Sequence, residues 1–333
     1  MKPYDQLTFR GQILRTRQLC LKALEDYPIE VARVRYLTTE STTMFRVDAH
    51  DGSKYVLRLY SELDSSLAEN QTEMFWLSAL ARDTDLRVTQ PVPRRDGEYL
   101  TFASVAGVPG EPHGDASRRR CALYKWVPGR QLAKHVSPRT YSQLGVIMAK
   151  LHKHAESLNL PAHIRPKRWD RVFYYPDEPV VYNTPEYSQL FRPGQVELME
   201  HAIAQVNPFL ANLYRELGRP FIIHADLHYW NVHIYRGQLY VIDFEDLTLG
   251  YPVQDIAICL YYLRNDADYA ALAAAFQNGY TTEREWPSFS ERDLQTLWAA
   301  RMLNFINYVA HVDEPDGARE FINSRCEELE KLL

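Results

Sequence analysis

Three polar residues, Asp226, Asn231 and Asp243, have the types and the spacing that phosphoryl transfer to a hydroxyl requires. Asp226 and Asn231 fall in the run His-Ala-Asp-Leu-His-Tyr-Trp-Asn, and Asp243 follows the apolar run Leu-Tyr-Val-Ile. In such a transfer one carboxylate accepts the proton of the attacking hydroxyl. An amide oxygen and a second carboxylate hold the magnesium ions that neutralise the phosphates. The stretch therefore indicates a candidate site for phosphoryl transfer.

The elements around these residues can position them. Phe221–Ile223 is a short apolar run that leads into the loop, and the segments 232–235 and 239–242 flank a turn that contains glycine. This pattern predicts a hairpin. A hairpin would bring Asn231 and Asp243 back to the same edge. Scattered polar residues on an ordinary hairpin are the alternative, and the joint pattern of strand, loop, hairpin and terminal aspartate favours the site.

The two runs His-Ala-Asp-Leu-His-Tyr-Trp-Asn-Val and Ile-Asp-Phe-Glu-Asp resemble the signature of the aminoglycoside phosphotransferase and choline kinase family, which includes type II homoserine kinase-like proteins. The usual loop of that family reads His-Gly-Asp-Leu-His-x-x-Asn, so Ala225 stands in place of a glycine. The resemblance implies that Asp226 is the catalytic base and that Asn231 and Asp243 bind Mg²⁺. It also implies ATP as the phosphate donor, with GTP left open.

The same resemblance implies an α+β, bilobal protein-kinase-like fold, with a small antiparallel-sheet N-terminal lobe and a larger, mainly helical C-terminal lobe. Residues 1–124 are the predicted nucleotide-binding lobe, preceded by a helix at about 8–27. Residues 125–130 are the predicted hinge, and residues 131–333 the predicted catalytic and substrate-binding lobe. The strands predicted in the first lobe are 31–37, 44–47, 55–60, two strands within 85–104 around a turn at 94–97, and 119–126.

Arg58 is the candidate cation for the phosphates. Strand alternation places it on one face with Lys54 and Val56, in the middle of an apolar strand where an unpaired guanidinium is costly. The resemblance implies that Arg58 contacts the α and β phosphates, because the family carries Lys or Arg at this place. An edge-strand arginine that points to solvent is the alternative. The loop between the first two strands, Thr38–Thr43, contains no glycine, so no single residue in it is assigned to phosphate.

Glu73 is the candidate partner of Arg58. It lies at helical spacing from Trp76, Leu77 and Leu80, at the head of an apolar stripe. A carboxylate in such a place needs a cation, which favours the ion pair between strand and helix that kinases contain. Glu69, one turn earlier, is the competing candidate, and a solvated Glu73 is also open.

The hinge prediction rests on the run Tyr-Lys-Trp-Val-Pro-Gly, which ends a strand sharply. By resemblance, the main-chain groups of Lys125 and Val127 contact the adenine edge, and Trp126 forms a wall of the base pocket. Further along the chain, Asp255 is expected to brace the catalytic loop by accepting hydrogen bonds from its backbone. His152 is expected to be structural.

The segment 161–193 shows neither helical nor strand periodicity and is rich in aromatic residues and proline. Irregular stretches within a domain are often binding loops. The segment is therefore predicted to recognise the acceptor, and an aromatic packing loop is an equal alternative.

Composition sets the class of protein. The 333 residues are 46% hydrophobic and 24% charged, as in an ordinary globular protein. A net charge of -5 gives no basic surface for nucleic acid or an acidic membrane, and no apolar run approaches the length of a membrane span. The four cysteines lack metal or disulfide spacing. These features predict a cytoplasmic enzyme with no nucleic-acid or membrane partner.

The predicted function is ATP- and Mg²⁺-dependent transfer of the γ-phosphate to a hydroxyl of a small molecule. The alternatives are a protein Ser/Thr kinase of the same architecture and a weakly active, nucleotide-sensing pseudokinase. The protein-kinase alternative lacks the Arg of His-Arg-Asp, and only a short interval separates Phe244 from Pro252. The sequence leaves open the acceptor, whether a homoserine, choline, sugar or aminoglycoside, and the oligomeric state.

Overall fold

A computed structural model describes residues 2–39, 42–60, 65–110, 118–175 and 178–332. Its α-helices are α1 (Phe9–Leu24), α2 (Leu67–Asp83), α3 (Pro138–Ser157), α4 (Gln195–Glu216), α5 (Pro252–Tyr261), α6 (Tyr269–Thr281), α7 (Glu291–Val312) and α8 (Pro315–Leu332). Its strands are β1 (Val31–Thr39), β2 (Thr43–Ala49), β3 (Lys54–Leu59), β4 (Leu100–Ala103), β5 (Arg119–Lys125), β6 (Arg130–Gln131), β7 (Lys167–Arg168), β8 (Phe221–Ile223), β9 (Val232–Tyr235), β10 (Gln238–Val241) and β11 (Thr248–Gly250). Short 3-10 turns occupy Tyr4–Gln6, Leu132–Lys134 and Pro185–Leu190.

The chain forms two compact units. The first contains Met1–Arg130, Ala162–Arg165 and His233–Glu245, and the second contains Gln131–Pro161, Pro166–Val232 and Asp246–Leu333. The first break in the chain falls at Arg130, the end of the predicted hinge. The segment His233–Glu245, which the sequence analysis assigned to the second lobe, groups with the first unit.

The first unit is built on an antiparallel sheet in the order β1-β2-β3-β5-β4. α1 packs on this sheet, and the core between them contains Leu19, Tyr27, Phe45 and Leu57. The predicted helix at 8–27 and the strands predicted near 31–37, 44–47, 55–60 and 119–126 are confirmed. The hairpin β9–β10 also belongs mostly to this unit, and its turn at Arg236 and Gly237 has positive φ at both positions.

One predicted strand of the first unit is wrong. Of the two strands predicted within 85–104, the structure contains only the second, β4, together with the turn at Arg94–Gly97. The earlier segment forms isolated bridges instead, Val88 with Val241 and Pro91 with Tyr124. Proline explains this outcome, because Pro91 and Pro93 have no N–H to donate to a ladder.

The second unit is mainly helical, with a small sheet in the order β7-β11-β8. β11 pairs antiparallel with β8 and parallel with β7. Ser137 and Ser290 cap the starts of α3 and α7, because each serine side chain accepts a hydrogen bond from the third residue of its helix. The five-stranded antiparallel sheet and the helical content confirm the predicted α+β fold class.

Helices α3 and α6 approach each other closely at two glycines. A Cβ atom on Gly145 would lie 2.1 Å from the carbonyl oxygen of Phe276, and one on Gly279 would lie 1.9 Å from that of Ser142. No side chain can occupy these positions without moving a helix backbone. The two glycines therefore fix how tightly this helix pair packs.

Two predictions fall partly outside the described residues. The loop Thr38–Thr43 includes residues 40–41, and the irregular segment 161–193 includes residues 176–177. All four cysteines are buried. Within the described part of the chain, no helix is both long and apolar enough to cross a membrane.

Candidate active site

A cavity of about 230 Å³ lies within the first unit and has mostly apolar walls. Its charged end is formed by Arg58, Glu73 and Asp243. An apolar slot with charge at one end fits a nucleotide, whose base is flat and whose phosphates need cations. The apolar walls include Leu37, Met44, Val56, Trp126, Val127 and Ile242.

Arg58 lies at the charged end of this cavity. β3, its strand, runs between β2 and β5, and only 7% of Arg58 is exposed. Its Nη2 donates to Asp243 Oδ1 at 3.0 Å, and its Nη1 donates to Glu245 Oε2 at 3.1 Å. The alternative of an edge-strand arginine that points to solvent is therefore wrong. Its role at the phosphates stays a prediction.

Glu73, and not Glu69, is the carboxylate of α2 beside Arg58. Glu73 Oε1 lies 3.8 Å from Arg58 Nη1 and is buried, so the solvated alternative is wrong. Glu69 instead closes a capping box with Ser66 at the start of α2. Glu245 is a nearer partner of Arg58 than Glu73 is. It was not predicted, because nothing in the sequence spacing distinguishes it from a solvated residue.

Asp243 follows β10 with a left-handed backbone, φ 65°. Aspartate adopts this conformation more readily than most residues do. The next residue, Phe244, is fully buried and packs edge-on against Trp76, with ring centroids 5.6 Å apart. The buried phenylalanine thus anchors the turn that presents the Asp243 carboxylate to the cavity.

The predicted hinge lies along the apolar side of the cavity. The backbone N–H of Lys125 donates to the carbonyl of Gln90 at 2.9 Å, so a main-chain contact of Lys125 with a base has to use its carbonyl oxygen. Val127 and Trp126 line the cavity. At Gly129, with φ 97°, a Cβ would lie 2.4 Å from the carbonyl oxygen of Ile234, so the hairpin passes directly against the hinge.

His233 is a further cavity residue that the sequence analysis missed. It lies in β9, two residues after Asn231. Burial lowers the pKa of His233, and main-chain hydrogen bonds to Pro128 and Val127 oppose that shift. The imidazole is therefore favoured in its neutral form beside the hinge.

The loop that carries Asp226 belongs to the second unit and follows β8. Asp255 accepts hydrogen bonds from the backbone N–H groups of His224 at 3.1 Å and Ala225 at 2.9 Å. His152 contacts the same carboxylate through Nε2 at 3.0 Å and is fully buried. The predicted brace by Asp255 and the structural place of His152 are confirmed. Ala225 adopts φ 62°, a conformation that the family's glycine accepts without strain.

Both oxygens of the Asp226 carboxylate are engaged. Oδ1 accepts a short hydrogen bond from Arg301 Nη2, and Oδ2 accepts one from Asn231 Nδ2 at 2.7 Å. His228 Nε2 lies 3.3 Å from Oδ2. Burial acts to raise the pKa of Asp226, but His228 and Arg301 outweigh it and lower this pKa to about 2. Asp226 is therefore an anion throughout the physiological range.

Arg301, on α7, is a third site residue that was not predicted from the sequence. It is 5% exposed, and its guanidinium lies 4.3 Å from the centre of the Phe305 ring. The same Nη2 that bonds Asp226 also reaches the hydroxyl of Tyr262 at 3.4 Å. A signal was present, because Arg301 interrupts the apolar stripe of α7 at helical spacing from Leu297.

Tyr175, in the irregular segment 161–193, reaches the same neighbourhood. Its hydroxyl donates to Asp246 Oδ1 at 2.8 Å, and the ammonium of Lys167 lies 4.3 Å from the centre of its ring. Burial and the nearby Asp226 raise the pKa of Asp246. Much of the segment is buried, including Trp169 and Tyr182. The segment therefore contributes to packing in addition to the contact between Tyr175 and Asp246. Its part in acceptor recognition stays a prediction.

The donor set suits magnesium. The amide nitrogen of Asn231 is used by Asp226, which leaves its oxygen, the atom that ligates metals, out of those bonds. The described residues contain no group of three or more His, Cys, Asp or Glu side chains placed for a metal ion. Magnesium does not need one, because it is commonly held by one or two carboxylates and substrate phosphates. Asn231 lies in the second unit and Asp243 in the first, and their convergence stays a prediction.

A comparison with sequence models of protein families identifies the family of this chain. A sequence model described as the phosphotransferase enzyme family matches residues 36–291. Amicoumacin kinase of Bacillus subtilis (strain 168) is 24% identical over 302 residues, which cover 89% of this chain and 82% of that protein.

Two solved structures share the fold over nearly the whole chain. Amicoumacin kinase hAmiN, in complex with AMP-PNP, Ca²⁺ and Ami, superposes with a TM-score of 0.75 at 16% identity and covers 97% of this chain and 96% of that chain. A microcompartment-associated aminopropanol kinase gives a TM-score of 0.74 at 22% identity, over 95% and 97% of the two chains.

Proposed function

Since the chain belongs to the phosphotransferase enzyme family, we propose that it transfers the γ-phosphate of ATP to a hydroxyl of a small molecule with the help of Mg²⁺. The predicted family, the kinase-like fold and the assignment as an enzyme are confirmed by the family match and by the related kinases. The roles of individual residues and the identity of the acceptor are proposals.

The geometry of Asp226 carries the proposal. Its carboxylate is held by Arg301 and Asn231 on a loop that Asp255 braces. With a pKa of about 2, Asp226 is a weak base, so its main task is to accept a hydrogen bond from the acceptor hydroxyl and aim it. Transfer of the proton comes late, when the oxygen has become acidic by bonding to phosphorus.

The nucleotide half of the proposal rests on the cavity of the first unit. Arg58, which lines this cavity, would hold phosphate oxygens. Asp243 and the oxygen of Asn231 would bind magnesium. Bound magnesium supplies charge neutralisation at the phosphates. The nucleotide and Ca²⁺ in the related amicoumacin kinase support this assignment. Catalysis of this kind relies on positioning and electrostatic stabilisation, without a covalent enzyme intermediate.

The test is ADP formation from MgATP against a panel of hydroxylated metabolites, amino alcohols, sugars and antibiotics. It compares the wild-type protein with Asp226→Asn and with the control Asp268→Asn, an exposed aspartate on the surface. We expect one acceptor class to stimulate ADP formation, and we expect Asp226→Asn to reduce kcat by about 10²–10⁴-fold.

Asp268→Asn is expected to match the wild type, and Asp226→Asn should still bind MgATP, because the nucleotide cavity lies in the other unit. Near-normal turnover of Asp226→Asn with an accepted substrate would show that Asp226 does not orient the hydroxyl.

A further inference from the structure

The partners of Glu73 in the first unit are two tyrosines. The hydroxyl of Tyr60 donates to Glu73 Oε2 at 3.0 Å, and the hydroxyl of Tyr124 donates to Oε1 at 2.9 Å. The two hydroxyls are themselves 2.5 Å apart. All three side chains are buried, with Glu73 2% exposed, Tyr60 0% and Tyr124 5%. We call these three residues the tyrosine clamp.

The contact between Arg58 and Glu73 is longer than the hydrogen bonds that either residue makes with its other partners. Their nearest charged atoms are 3.8 Å apart, too far for a hydrogen bond, whereas Arg58 bonds Asp243 and Glu245 at 3.0 and 3.1 Å. Each oxygen of Glu73 is satisfied by a tyrosine. The hydrogen bonds that tie Glu73 of α2 to the sheet residues therefore come from Tyr60 and Tyr124, and Arg58 contributes a longer charge contact.

A buried carboxylate that loses a hydrogen-bond donor has to find another one, because an unsatisfied buried charge is very costly. For Glu73 the nearest cation is the guanidinium of Arg58. Without the hydroxyl of one tyrosine, Glu73 would draw Arg58 away from the phosphate end of the cavity. The strength of the clamp thus sets how freely Arg58 can turn to a nucleotide.

We propose that Tyr60 and Tyr124 are positioning residues for nucleotide binding: by holding Glu73, they keep Arg58 available to the phosphates. This inference rests on the proposed function. Tyr60 is the more informative of the two, because it is absent from the residues that line the cavity, whereas Tyr124 forms part of the wall. An effect of Tyr60 on a nucleotide therefore has to pass through its buried neighbours, and the Glu73→Gln background separates the route through Glu73 and Arg58 from the route through Tyr124.

The test measures the Kd of a non-hydrolysable ATP analogue with Mg²⁺ by calorimetry. The variants are Tyr60→Phe, Glu73→Gln and the two combined. The matched control is Tyr141→Phe in the second unit, where a fully buried tyrosine hydroxyl has no hydrogen-bond partner among the described residues. We expect Tyr60→Phe to weaken nucleotide binding about tenfold, the size of one hydrogen bond to a charged group.

Tyr141→Phe is expected to leave the Kd within about twofold of the wild type. In the Glu73→Gln background, Tyr60→Phe should lose its effect, because the uncharged amide no longer attracts Arg58. In steady-state kinetics, Tyr60→Phe should raise the KM for the nucleotide and leave the KM for the acceptor unchanged. If Tyr60 had a purely structural role, Tyr60→Phe would lower the melting temperature without this selective rise in the KM for the nucleotide.

The proposal is overturned if Tyr60→Phe changes the Kd no more than Tyr141→Phe does, or if it acts equally with Glu73 and with Gln at position 73. If Tyr60→Phe does not fold, Tyr124→Phe is compared with and without Glu73→Gln, because only an effect that passes through Glu73 disappears in that background. Failure of the wild-type protein itself to bind the analogue would overturn both this inference and the proposed function. Binding by the wild type with no effect of the variants would overturn the inference alone.

Discussion

Both carboxylate oxygens of Asp226 already accept hydrogen bonds within the protein, and this determines how Asp226 can contact an acceptor. Each carboxylate oxygen has two lone-pair sites, so bonds from Arg301 and Asn231 leave room for a hydroxyl on the same carboxylate. The two partners fix its orientation before any substrate arrives. The sequence motif identifies Asp226 and Asn231, but Arg301 comes from a helix 75 positions away along the chain. Only its position within an apolar stripe could have indicated it.

Replacement of Arg301 tests this arrangement. Arg301→Met leaves the buried Asp226 anion without its cation, and we expect a loss of about 3–5 kcal/mol in the free energy of unfolding at pH 7. Arg301→Lys keeps the charge and should lose less. The control Arg319→Met removes an exposed ion pair on α8 and should cost at most about 1 kcal/mol. Urea denaturation measures all three.

The pH dependence of that loss follows from the pKa of Asp226. Because the folded pKa is lowered from 3.8 to about 2, the stabilisation is complete above the ordinary pKa and disappears as the pH falls towards 2. The difference in the free energy of unfolding between the wild type and Arg301→Met should therefore decrease as the pH is lowered. Equal losses for Arg301→Met and Arg319→Met at pH 7 would contradict the proposed ion pair.

At the scale of the elements, helices and strands that depend on neighbouring residues could be predicted from the sequence. The helix α1 and the strands β1, β2 and β3 lie close to their predicted bounds. Helices α4 and α6 were not predicted, since α4 contains Pro208 and α6 is an alanine-rich helix without a strong apolar stripe. Pairings between distant residues, such as Glu245 with Arg58, leave no periodic trace in the sequence.

The helix pair α3–α6 gives a prediction at this scale. Gly145→Ala places a Cβ 2.1 Å from the carbonyl oxygen of Phe276, so one helix must shift. We expect a loss of about 1–3 kcal/mol or more in the free energy of unfolding, as for other overpacked cores. The control Gly218→Ala has no atom within 4 Å of the new Cβ and should change stability by less than about 0.5 kcal/mol. If thermal and urea denaturation gave the two variants the same free energy of unfolding, this result would contradict the close packing.

At the scale of the whole molecule, the two units carry different parts of the proposed chemistry. The first contains the nucleotide cavity, in which the guanidinium of Arg58 faces the carboxylates of Glu73, Asp243 and Glu245. One cation among three acidic groups cannot attract a triphosphate by charge, because like charges repel at such distances. The nucleotide should therefore bind with its divalent cation and not without it.

The most direct test of the central claim is thermal melting of the wild-type protein and of Asp243→Ala with MgATP, MgGTP, Mg²⁺ alone, and ATP with a chelator. A ligand that binds the folded state stabilises it by about 2.7 kcal/mol at a concentration of 100 Kd. We predict that a magnesium nucleotide raises the melting temperature by several degrees, that neither Mg²⁺ nor free ATP does so, and that Asp243→Ala loses most of the shift. The control Asp268→Ala should keep it. No shift of the wild-type protein with either magnesium nucleotide would contradict the assignment of this chain as a nucleotide-dependent phosphotransferase.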